Sequence, residues 1–182
     1  MISGRLKNFR KGIEDVREGK EHALEAIRKD LTSIPYIPEL AKLDNLRSLT
    51  LAHNKITEIP QEISTLQGLE HLNLFNNCIV TSLPDNFFNL ITLRALYLSD
   101  NDFEHIPPGI GKLVNLEILA LRDNDLVSLP AEMCLLTRLK ELHLQNNRLA
   151  VLPPELGKLS QHHLSLFLPI EFYSLPLLGT KF

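Results

Sequence analysis

From Leu46 onward the chain restarts one pattern five times: L-x-x-L-x-L-x-x-N, then two further apolar positions and a proline. The units begin at Leu46, Leu69, Leu93, Leu116 and Leu139, at spacings of 23, 24, 23 and 23 residues. Asn54, Asn77, Asn101, Asn124 and Asn147 fall in one column, and Pro60, Pro84, Pro107, Pro130 and Pro153 in another. The extra residue of the 24-residue unit lies between Ile79 and Leu83, in a turn. A unit this short cannot bury its own apolar face, so neighbouring units must stack and share one continuous core.

This is the pattern of a leucine-rich repeat. In L-x-L the alternate side chains of a short strand point inward, as the two-residue period of a strand requires. The column asparagine is a polar group among leucines, tolerable there if it satisfies backbone groups of the turn that leaves the strand. After each Leu-Pro or Ile-Pro pair comes a short irregular or helical segment, whose Ile63/Leu66 or Met133/Leu136 completes the core. The expected fold is an α/β leucine-rich repeat solenoid, with a curved parallel sheet on the concave side and short helical or irregular convex segments. Residues 1–43 read as an N-terminal helix and a degenerate first repeat acting as a cap. Leu6, Phe9, Ile13 and Val16 give the helical spacing, weakened by Gly12 and Gly19, and Leu24, Ala26, Lys29, Leu31 and Ile34-Pro35 imitate a repeat with lysine at the asparagine place. Residues 44–160 hold the five repeats. Continuing at 23 residues puts His162 and Ser165 where leucines belong, so 161–182 reads as an apolar, non-repeat tail. In it, Leu164, Phe167 and Phe172 are expected to cover the open edge.

Charge and composition remove several classes of function. The 182 residues carry 19 basic and 22 acidic groups, a net charge of -3, which is no footprint for nucleic acid or an anionic membrane. No apolar run reaches the roughly 18 residues that span a bilayer; Leu164 to Leu178 is broken by Pro169, Glu171 and Pro176. Two cysteines, Cys78 and Cys134, build no disulfide framework, and the charged N-terminus is unlike a signal peptide, which points to the cytoplasm. Gly109 and Gly111 lack the third glycine and the strand-to-helix setting of a phosphate loop. His162-His163 has no further ligand at metal spacing, and neither thiol has a base beside it. No catalytic, cofactor or metal constellation stands out, so the expected class is a non-enzymatic, monomeric binding module.

The strand positions that flank the inward leucines line up into ladders about 4.8 Å apart. They run Ser48, His71, Ala95, Ile118, Glu141; Thr50, Asn73, Tyr97, Ala120, His143; Ala52, Phe75, Ser99, Arg122, Gln145; and His53, Asn76, Asp100, Asp123, Asn146. The fold needs nothing more than small or polar residues there, and aromatic residues and arginine are the usual anchors of protein interfaces. The candidate binding residues are therefore Phe75, Tyr97, Ser99, Asp100, Ile118, Arg122, Asp123, His143 and Gln145, with the two aspartates favouring a basic partner.

Three segments carry a closer resemblance: Asn86 to Glu104 (NFFNLITLRALYLSDNDFE), Leu121 to Pro130 (LRDNDLVSLP) and Leu139 to Gly157 (LKELHLQNNRLAVLPPELG). Together with the 24-residue unit at Leu69, they make roughly Asp44 to Leu159 resemble the Ras suppressor family of leucine-rich repeat proteins, down to Tyr97, Ser99, Asp100, Arg122 and Asp123, which the repeat consensus leaves free. The resemblance implies a cytoplasmic adaptor that binds the LIM-domain protein PINCH in integrin-linked kinase and parvin assemblies at focal adhesions and restrains Ras signalling. The alternative is a Ras-pathway scaffold that contacts a GTPase or a phosphatase directly. The family's array is longer, with repeats missing here just before Leu69, and the segment after residue 160 differs.

Overall fold

The computed structural model describes residues 6–162 and 164–168. Seven three-residue strands form one parallel sheet in chain order: β1 (Ala23–Glu25), β2 (Ser48–Thr50), β3 (His71–Asn73), β4 (Ala95–Tyr97), β5 (Ile118–Ala120), β6 (Glu141–His143) and β7 (Ser165–Phe167). The central leucines Leu24, Leu49, Leu72, Leu96, Leu119, Leu142 and Leu166 pair directly across the whole sheet. All but Leu166 are buried, with Leu51, Leu74, Leu98, Leu121 and Leu144 two residues on, so one stripe of leucine runs through the stack.

On the opposite side each proline column residue leads into a 3-10 segment: Gln61–Thr65, Asp85–Asn89, Pro108–Lys112, Ala131–Leu135 and Pro154–His162. Proline fixes φ near the value that launches such a turn. Ile63, Phe87, Ile110 and Met133 point from these segments into the core. Gly109 has a packing role: a Cβ there would lie 2.2 Å from Cδ2 of buried Phe88.

The degenerate first repeat is present as β1, followed by a one-turn helix, α2 (Ile37–Leu40). Ahead of it α1 (Lys7–Arg17) buries Phe9, Ile13 and Val16 against the end of the stack, and Leu6 beside them is also buried. Gly12, a weak helix former by propensity, lets the helix backbone approach β1, since a Cβ would lie 2.7 Å from Leu24 Cδ2.

The asparagine column crosslinks the repeats. Asn124 donates to the carbonyls of Leu121 (3.1 Å) and Arg122 (3.2 Å) in its own repeat and of Leu98 (3.0 Å) in the preceding one, and accepts from Phe103 N–H (3.0 Å). Asn77, Asn101 and Asn147 repeat this arrangement, and Asn54 serves the first repeat by accepting from the backbone N–H groups of Lys29 and Leu31. A second crosslink is electrostatic. The residues after each leading leucine alternate in sign along Arg47, Glu70, Arg94, Glu117 and Lys140, with ion pairs at 3.7, 3.5 and 2.9 Å and a close Glu117–Lys140 pair.

The end of the array differs from expectation. β7 continues the sheet, with Leu142 paired to Leu166, so the repeat strands do not stop at residue 160. The step from β6 to β7 is 24 residues, as between β3 and β4, which brings Leu166 and Leu168 to the leucine positions. Leu168 is buried and Leu164 and Leu166 pack on the core, whereas Phe167 points to the other face, 39% exposed. Phe172 and His163 lie outside the described residues, as does the side chain of His162.

Candidate protein-binding face

The outward positions of the strands lie side by side because the register is one-to-one. In β4 and β5 the pairs Ala95↔Ile118 and Tyr97↔Ala120 place a large side chain beside a small one in opposite order. Ala95 and Ala120 are buried, so half-buried Tyr97 and Ile118 stand beside small residues as two raised knobs near the middle of the sheet. Phe75 flanks them on one side, half-buried, with its ring edge-on to His53 at 5.1 Å between centroids. Arg122 is exposed on the other, its Nε 3.2 Å from a carboxylate oxygen of Asp123.

Four of the expected residues are not open side chains on the surface. Ser99 is 3% exposed and its hydroxyl is buried without a hydrogen-bond partner, so it is not a surface contact in this state. Gln145 is half-buried, with its carbonyl oxygen likewise enclosed. Asp100 and Asp123 sit in the left-handed region, at φ 58° and 53°, as do His53, Asn76 and Asn146 of the same ladder. Short polar side chains are the non-glycine residues that tolerate this conformation best. Asp100 accepts from Asn76 and Asp123 accepts from Asn146 at 2.7 Å, so both carboxylates are tied into the turn row.

His143 is covered by a residue that the 23-residue register misses. Phe167 of β7 stacks on it with ring centroids 4.4 Å apart and planes 7° from parallel, and Glu141 hydrogen-bonds its Nε2 at 3.1 Å. Spacing the last strand by 24 residues, as the Leu69 unit already does, is the signal that finds Phe167. Among the described residues no cluster of three potential metal ligands occurs, and no helix is long and apolar enough to cross a membrane.

Comparisons with known proteins agree with this architecture. A leucine rich repeat family model matches residues 44–103, and a leucine-rich repeat region model matches residues 85–167. Human Ras suppressor protein 1 is 54% identical over 149 aligned positions, covering 56% of this chain and 54% of the relative. Because 56% of 182 residues is about 102, about 47 aligned positions of that relative have no counterpart here, the length of two repeats. Rat lumican is 37% identical over 99 residues, covering 48% of this chain and 29% of the relative. Thus the chain spans about half the length, or less, of these curated relatives. Among solved structures, a Leptospira interrogans leucine-rich repeat protein superposes with a TM-score of 0.75 at 30% identity, covering 90% of this chain and 46% of that one. Pollen receptor kinase 3 gives 0.68 at 26% identity, covering 81% and 72%. The repeated outward face and these relatives together support a role in protein interaction. The chain folds as a leucine-rich repeat solenoid and is similar, across its repeats, to Ras suppressor protein 1.

Proposed function

We propose that the chain is a non-enzymatic, monomeric cytoplasmic adaptor whose sheet face binds a LIM-domain protein, PINCH, in integrin-linked kinase complexes at focal adhesions, and so modulates Ras signalling. The observation that carries this reading is the pair of knobs, Tyr97 and Ile118, each beside a small alanine and flanked by Phe75 and exposed Arg122. Amphipathic aromatic and guanidinium groups near the centre of an interface, where water is best excluded, supply most of its binding energy. The similarity to Ras suppressor protein 1 supports the choice of partner class.

Capture on immobilised PINCH LIM domains tests it. Tyr97→Ala combined with Arg122→Glu is expected to abolish capture with little change in melting temperature, since both side chains lie outside the leucine core. Lys112→Glu, exposed on the 3-10 side, is expected to capture like wild type. Wild-type capture by the double variant would refute the sheet face as the site. Retention on a Ras-family GTPase column in place of the LIM column would replace the partner.

A further inference from the structure

On the side opposite the sheet, consecutive 3-10 segments pack on one another from Gln61–Thr65 through Pro154–His162. At the joint between α2 and Gln61–Thr65 a groove of about 600 Å³ opens. Here β1 and β2 are 25 residues apart, two more than the usual step. The walls are apolar, formed by Ile34, Tyr36, Ile37, Pro38, Ala41 and Pro60.

Two observations mark this groove as more than a packing defect. Glu58 and Glu62 stand exposed at its edge, and neither carboxylate has an ion pair or hydrogen bond among the described residues. Arg10, the cation beside Tyr36, is already committed, donating from Nε to the phenol at 2.7 Å with its guanidinium carbon 5.1 Å from the ring centroid. Tyr36 itself adopts φ 57°, whereas the other seven left-handed non-glycine residues among those described are Arg, His, Asp or Asn. A bulky residue there is a true outlier, and such strain gathers at binding sites where the surroundings hold it in place. Phe9 of α1, stacked at 6.2 Å, and Arg10 are those surroundings.

We infer that the groove docks a short extended segment of a partner protein bearing a large apolar side chain next to a lysine or arginine. The walls take the apolar side chain out of water, and the two unpaired carboxylates take the cation while repelling acidic segments. The volume suits one anchor side chain with its neighbours. The groove lies on the side opposite Tyr97 and Ile118, so it stands independently of the sheet-face reading and lets the chain hold two partners at once.

A random dodecapeptide library displayed on phage, panned against the full chain, is the test. Selected peptides are then synthesised and titrated by fluorescence anisotropy against wild type, Glu58→Lys/Glu62→Lys and Ala41→Trp, the last placed to fill the groove. The expected result is a set of peptides pairing an apolar residue with Lys or Arg, whose affinity falls at least roughly tenfold in both variants at unchanged melting temperature. Should a variant melt early, backbone amide shifts of wild type with the same peptide decide, and they are expected to move within 34–41 and 58–65. Peptides that bind both variants like wild type, that lack a cation, or that shift amides elsewhere overturn the inference.

Discussion

Replacing Asn124 with alanine tests the crosslink between repeats directly. Its side chain makes four hydrogen bonds from a site 6% exposed, and they are not equal. The carbonyls of Leu98 and Leu121 keep a second donor after truncation, from Asn101 at 3.1 Å and Asn147 at 2.9 Å. Phe103 N–H keeps none of the side-chain acceptors, and an unsatisfied buried donor costs about 1–3 kcal/mol. Adding about 1 kcal/mol for the weakened carbonyl contacts gives an expected loss of about 2–4 kcal/mol. The readout is the midpoint of urea unfolding at constant slope. Asn101→Ala made in the same chain strips Leu98 of both asparagine donors, so the double variant is expected to depart from additivity by about 0.5–3 kcal/mol. A single-variant loss below about 1 kcal/mol with additive double-variant behaviour would refute the claim that the column ties one repeat to the one before it.

Leu121→Ala, at a fully buried strand position, is expected to cost about 2–5 kcal/mol in the same unfolding assay, because the neighbouring rungs hold the cavity open; a loss below about 1 kcal/mol would place Leu121 outside the core. Glu117→Gln is expected to lose stability in a pH-dependent way. Hydrogen bonds from Lys140 and then Arg94 hold the Glu117 carboxyl below the usual carboxylate value, so its contribution is full above that value and disappears as pH falls through the lowered one. Melting temperatures of wild type and variant should therefore converge in acid and separate toward neutrality; a constant difference across pH would refute the ion-pair role.

The parts of the fold written in leucine were legible, because a leucine that must enter the core leaves a fixed period: the five strands from β2 to β6 are where that period puts them. The last strand was not, because Ser165 and His162 spoil the 23-residue register and only a one-residue slip recovers Leu166 and Leu168. The outward ladders were legible in identity and not in accessibility. Outward residues answer to no packing rule, so nothing in the order of letters distinguishes exposed Arg122 from enclosed Ser99. Asp100 and Asp123 read as free charge because a left-handed turn and a carboxylate for a partner favour the same residue types.

The alternating charges at Arg47, Glu70, Arg94, Glu117 and Lys140 give the stack a parity. Each exposed pair is individually weak, but like charges placed next to one another are unfavourable by comparable amounts. Cutting out any one of the inner repeats would set arginine against arginine or lysine, or glutamate against glutamate, at the new junction, whereas cutting out two adjacent ones restores opposite neighbours. The positions of Ras suppressor protein 1 without counterpart here total about 47, close to the length of two repeats. An array marked in this way can be shortened or lengthened by pairs of repeats with its edge charges still matched, and each odd step is penalised along the same seam.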